Sequence, residues 1–146
     1  MEWMLMPLRR YADFSGRSRR KEYWMFTLFI LLFYVGLITL LAVGGGLSGM
    51  FDPTAAGGAG MTALGGTVLV LFGLFVLAIL IPTIAVQVRR MHDQDKSGWW
   101  VLIGYIPVVN YVGGIVLFVF MCIEGTKGEN RYGPDPKGEN IADVFA

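Results

Sequence analysis

The stretch Arg89-Arg90-Met91-His92-Asp93-Gln94-Asp95-Lys96 brings the chain's single histidine together with two carboxylates and two guanidiniums. As an enzyme, it would use His92 as a general base oriented by Asp93 or Asp95, but no candidate nucleophile stands beside it. As a metal centre, it offers His92 and two acids without the second histidine or cysteine that a persuasive site needs. On a helix, Arg89 lies one turn from His92 and Asp93, so the same residues make a salt-bridged collar at a helix end. The collar is the simplest reading. No catalytic residue, metal or cofactor is expected.

A second cluster, Arg17, Arg19, Arg20 and Lys21, stands just before a long apolar run. Basic residues beside a membrane attract anionic headgroups by about 1 kcal/mol each. Nucleic acid would be drawn to the same charge, but no recognition motif accompanies it, so no nucleic-acid partner is expected. A third polar segment, Gly125-Thr-Lys-Gly-Glu-Asn-Arg-Tyr-Gly-Pro-Asp-Pro136, places Asn130, Arg131 and Tyr132 in a turn-rich tail. It can dock onto the membrane surface, bind a partner, or simply lead away from the last apolar run.

These clusters need elements to hold them, and hydropathy supplies those. The chain has 146 residues, of which 55% are hydrophobic and 16% charged. An ordinary soluble domain is roughly 25% charged, and one of this length could not bury so much apolar surface, so lipid must solvate part of it. Residues 23–43 carry no charge and are long enough, at ~1.5 Å each, to cover the ~30 Å hydrocarbon core. Residues 67–88 form a second span, with Pro82 introducing a kink. Between them, 44–66 is rich in glycine and reads as a mobile external connection. No small-residue cleavage site follows the first run closely, so the spans themselves are expected to drive insertion.

The third apolar run, 99–123, suits one crossing and is too short for two. Pro107 and Asn110 interrupt it, so a third span kinked or broken near Pro107 is expected. A re-entrant hairpin turning at Pro107 to Asn110 is the competing geometry. Asn110 at mid-depth would require a hydrogen-bond partner. Cys122, the only cysteine, is expected to be buried and inert. Residues 1–14 suggest an amphipathic segment, with Pro7 in a first turn, lying either in the headgroup region or against the protein. Trp24, Trp99 and Trp100 sit at span edges, where aromatic rings favour the headgroup level.

Between Lys21 and Arg89 there is no lysine or arginine. Counting basic residues therefore places 1–22 and the 89–98 loop in the cytoplasm. A third full crossing would put the tail, 124–146, outside.

Three segments together are recognisable: residues 11–24, beginning Tyr11-Ala-Asp-Phe-Ser-Gly-Arg; residues 87–100, with Arg-Arg-Met-His-Asp at their centre; and the 125–136 tail segment. In order and spacing the chain resembles domain-of-unknown-function family 805, the small bacterial inner-membrane proteins of the YhaH type. The resemblance covers nearly the whole chain. It implies a bacterial inner-membrane location and brings no activity with it.

The expectation is thus an all-α integral membrane protein forming a single membrane domain, with an amphipathic amino-terminal segment and three spans. It would act as a non-catalytic scaffold, regulator or lipid-interacting partner in the envelope, alone or as a homo-oligomer. Candidate lipid or partner contacts are Arg17, Arg19, Arg20, Lys21, Trp24, Arg89, Arg90, His92, Asp93, Trp99, Trp100, Asn130 and Arg131. The alternatives are a subunit of an oligomeric transporter or channel, whose spans would here offer few ionisable groups, and a membrane enzyme using His92 with Asp93 or Asp95.

Overall fold

The computed structural model describes residues 2–43, 59–107 and 109–138. Helix α1 covers Glu2–Arg9, α2 covers Arg20–Val43 and α3 covers Ala59–Asp93; a 3-10 turn then runs over Gly98–Gly104 and helix α4 over Asn110–Cys122. No strand occurs among the described residues; the sole β-type pairing there is the isolated bridge between Asn130 and Gly133. Most of the 44–66 connection lies outside the described residues, and its end, from Ala59, already forms about the first two turns of α3. The chain divides into two compact units, Met1–Phe26 with Ile81–Ala146, and Thr27–Leu80.

The Thr27–Leu80 unit is built for lipid. Phe33 stacks on Phe75 with ring centroids 3.5 Å apart, and Tyr34 meets Phe72 and Phe75 at 5.8 and 6.0 Å. Leu31, Leu32, Val35, Ile38 and Leu40 on α2, and Val70, Leu71, Leu74 and Leu77 on α3, are exposed. Arg20–Ala42 and Gly66–Asp93 are long and apolar enough to cross a membrane. Only 6% of the most apolar stretch of the first is buried inside the protein, whereas the core helix of a soluble protein would be mostly covered. Thr39 returns its hydroxyl to the carbonyl of Val35 at 2.8 Å, which satisfies a polar group that a lipid-facing helix could not leave open.

The other unit carries the polar chemistry. In α1, Pro7 falls in the second turn rather than the first and is buried, while Leu5 faces outward. Helix α3 stops at Asp93, a few residues earlier than the Ser97-Gly98 stop that the sequence suggests. Asp95 adopts φ +57°, and the Lys96 and Asp95 N–H groups return to the carbonyls of Met91 and His92, both at 3.0 Å. This is a Schellman termination with aspartate where glycine is usual.

The 99–123 run is not a straight crossing. After the 3-10 turn, in which the Ser97 hydroxyl accepts from the Trp99 N–H, α4 packs back on the turn. Trp100 meets Phe120 edge-on at 6.0 Å, and Val101, Leu117 and Met121 close over Met91 in a common core. A Cβ on Gly113 would collide with the backbone and side chain of Ile103, and one on Gly104 with Leu117, so both glycines are what lets the two arms touch. At 13 residues, α4 is ~20 Å long, short of the ~30 Å core. Asn110 starts α4 and donates its backbone N–H to Ile106 at 2.8 Å; it is exposed at the turn rather than bonded to another helix. Cys122 is exposed, not buried, because it ends α4 on the side away from that core.

Candidate functional site

Five charged side chains from two segments close on one another inside the Met1–Phe26 and Ile81–Ala146 unit. Arg17, Glu22, Arg89, Arg90 and Asp93 are all buried. The Arg17 guanidinium donates from Nε to Asp93 Oδ1 at 3.0 Å. Its remaining nitrogens reach the carbonyls of Gly128 at 2.6 Å and Thr126 at 2.5 Å. Arg90 binds the other oxygen of Asp93 and also the carbonyl of Ile123. Asp93 is therefore clamped between two arginines, one on its own helix and one far away in sequence.

Arg89 points elsewhere. It pairs with Glu22 at 3.1 Å, an ion pair whose alignment falls short of a hydrogen bond. Glu22 in turn accepts from the Ser18 hydroxyl at 2.8 Å, and the Ser18 N–H donates to the carbonyl of Arg89 at 3.2 Å. The amino-terminal segment is thereby laced to the end of α3. Arg89 Nη1 and Arg90 Nε meet no acceptor among the described residues.

The tail completes the cluster. The Thr126 N–H donates to the carbonyl of Asp93 at 2.8 Å, and the Asn130 amide donates to the carbonyl of His92 at 2.9 Å. Gly125 passes so close to Asp93 that a Cβ there would fall within the carboxylate. Asp135 lies 4.0 Å from Arg17. Its carboxyl is held below the usual range by the Lys137 N–H first, then by the Gly128 N–H and by Arg17. Gln94 ties α3 to the carbonyl of Phe120. Groups joined at ~3 Å cannot stand on opposite faces of a ~30 Å hydrocarbon layer. The tail, Arg17 and the end of α3 are thus joined in one hydrogen-bonded cluster.

This geometry divides the candidate contacts. Arg17, Arg89, Arg90 and Asp93 are each buried against an opposite charge or a carbonyl. Asn130 serves the same internal purpose. Arg19 and Lys21 remain on the rim, 5.7 and 5.5 Å from the Trp3 ring centre. Arg20 pairs with Glu124 at 3.0 Å, and Arg131 with Asp95 at 2.9 Å, both on the surface. Trp24 and Trp100 are partly exposed and Trp99 is 78% exposed. His92 stacks flat on Tyr132 at 3.8 Å, with Nδ1 3.2 Å from the carbonyl of Gly16. Neither Asp93, held by two arginines, nor Asp95, paired with Arg131, orients it. Ser18, Glu22, Gln94, Thr126 and Asp135 belong to the cluster and were not singled out from sequence. Only Ser18 and Glu22, one helical turn apart, leave a local signal.

Residues 11–134 match the family described as "Protein of unknown function (DUF805)". The chain belongs to this family. It is 42% identical to "Inner membrane protein YhaH" of Escherichia coli (strain K12), over 95% of this chain and 99% of that protein. It is 41% identical to "Inner membrane protein YhaI" of the same strain, over 94% and 97%. "Uncharacterized protein YiiR" is 25% identical over 84% of this chain and 85% of its own length. No solved structure matches. The DUF805 match spans every residue of the cluster except Asp135, and the inner-membrane relatives agree with the lipid-facing helices.

Proposed function

We propose that this DUF805 protein is a non-catalytic inner-membrane scaffold that presents a rigid cytoplasmic cap and holds anionic headgroups at its rim. The observation that carries the reading is the closure of the buried charges on one another. Catalytic and transport groups face a substrate or a pathway; here Arg17, Arg89, Arg90, Glu22 and Asp93 face each other and the tail. What remains outward is Arg19 and Lys21 beside Trp3, with Trp24, Trp99 and Trp100 at the same rim.

In this reading α2 and α3 span the membrane, and the 99–123 hairpin enters and leaves from the cytoplasmic side. The amino-terminal segment, the 89–98 loop and the tail then form one cap. The basic residues flanking the basic-free interval support the cytoplasmic assignment. Partners on this reading are anionic lipids and a membrane protein or second copy meeting the cap.

The test is reconstitution. Thermal unfolding is compared in phosphatidylcholine vesicles with and without phosphatidylglycerol, for the wild type and for Arg19→Ala/Lys21→Ala. Anionic lipid should stabilise the wild type, and the double variant should lose most of that gain, about 2 kcal/mol at ~1 kcal/mol per basic residue. Equal stabilisation of both proteins removes the rim from the account.

A second reading, a subunit of an oligomeric transporter or channel, draws on one feature. A cavity of about 370 Å³ is lined by Tyr23, Gln87, Tyr105 and Asn110 among apolar residues, and the Tyr105 hydroxyl donates to Gln87 Oε1 at 3.1 Å. Reproducible, solute-specific flux through the same vesicles would replace the scaffold with this alternative.

A further inference from the structure

A second cavity, of about 500 Å³, opens beside His92 and is used by nothing described so far. Its volume lies within the ~300–1,000 Å³ of small-ligand sites. Ile84, Val88 and His92 form its floor, at successive turns on one face of α3; Gly98, Trp99, Val101 and Leu102 form a wall, and Phe14 and Tyr132 close the remaining end. All three segments that carry the family resemblance therefore contribute. From His92 to Ile84 the floor descends ~12 Å along the helix axis, from the charged end of α3 into its apolar length. Leu102 and Trp99 are exposed, so the cavity is open on that side.

No lysine, arginine, aspartate or glutamate lines this space. An anionic headgroup would find no countercharge within it. His92 and Ser97 supply its polar chemistry, and Ser97 Oγ is already engaged as the acceptor for the Trp99 N–H at 3.5 Å. A carbonyl oxygen only accepts, so Nδ1, at 3.2 Å from Gly16, carries the proton in that contact. In the neutral ring Nε2 is then a bare acceptor. It lies on the Gly98 side, where a Cβ would come within 3.2 Å of it. The stack on Tyr132 fixes the ring plane. An apolar slot with one oriented acceptor at its polar end is complementary to a chain with an uncharged hydroxyl donor at its head.

We propose that this cavity binds a hydroxylated, uncharged single-chain amphiphile of the monoacylglycerol class, with its chain along Ile84, Val88 and Leu102 and its hydroxyl on His92 Nε2. The site is distinct from the basic rim, since none of the rim arginines or lysines lines it.

The experiment uses the full chain in detergent with a monoacylglycerol carrying a photoreactive diazirine in its acyl chain, and mass spectrometry locates the adducts. Adducts should concentrate between residues 84 and 102, and unlabelled monoolein should displace them. Leu102→Trp, which fills the slot from an exposed position, should abolish the labelling. His92→Phe keeps a ring against Tyr132 but loses the acceptor, and should weaken monoolein competition about five- to tenfold, the size of one hydrogen bond. The methyl ester of the same fatty acid, which has no hydroxyl, should compete more weakly by a similar factor. Adducts spread over the exposed faces at 28–40 and 70–77, or labelling undiminished in Leu102→Trp, would overturn the site. Equal competition by ester and monoolein would overturn the role of His92. An uncharged probe leaves the anionic-lipid reading to stand or fall separately.

Discussion

Asp93 accepts from Arg17 and Arg90 while almost wholly buried. A carboxylate in that position is the countercharge on which two desolvated guanidiniums depend, and removing one partner of such a group typically costs about 3–5 kcal/mol. Asp93→Asn should therefore lower stability by that order in detergent thermal unfolding, despite its near-identical shape. Arg131→Ala breaks a pair whose members are 60% and 47% exposed and should change stability by no more than about 1 kcal/mol. Comparable losses in the two variants would contradict the division between buried cluster and surface charge. The same contrast explains why charge type alone is a poor guide to contact residues: Arg17 and Arg19 are two positions apart, yet one is the hub of the interior and the other a rim cation.

At the scale of the element, the hairpin formed by the 3-10 turn and α4 depends on close approach at Gly113. Alanine there must push against Ile103, backbone included, and overpacking of this kind costs about 1–3 kcal/mol. Gly114, its neighbour, has only an ordinary contact with Asn110. Alanine at that site gains the helix-propensity difference over glycine, about 1 kcal/mol. Gly113→Ala should thus destabilise and Gly114→Ala stabilise slightly, as read by unfolding midpoints of the two variants. If both shifted in the same direction, the contact between the arms would not be what sets the hairpin. The Asp95 termination of α3 acts at this scale too: it stops the helix before Lys96, so the next segment turns into the hairpin instead of extending into solvent.

For the whole molecule the decisive quantity is the side on which the tail lies. Its hydrogen bonds to Arg17 and Asp93 join it to the amino-terminal segment, and the basic residues there point to the cytoplasm. Lys127→Cys in a Cys122→Ser background gives one exposed thiol on the tail. A membrane-impermeant maleimide should leave it unmodified in intact cells and label it in inverted vesicles. Labelling of intact cells would restore the three-crossing topology.

The sequence alone carried the membrane character, the positions of α2 and α3, and the break at Pro107 to Asn110, because apolar length, charge exclusion and proline act locally and leave periodic marks. It also suggested a salt-bridged collar at this helix end, through Arg89 and Asp93; in the structure Asp93 pairs with Arg90 and Arg17, and Arg89 with Glu22. What only the tertiary structure decided was where the chain goes after the break and which charges find each other. A kinked crossing and a hairpin share the same hydropathy. Hydropathy does not show the glycines that let two arms touch or the tail carbonyls that satisfy Arg17. Arg17 and Asp93 are separated by 76 residues, and no local spacing announces their pairing. Burial turned residues expected at a lipid or partner surface into the interior of the cap, because a desolvated guanidinium must be answered by nearby acceptors wherever in the chain they lie.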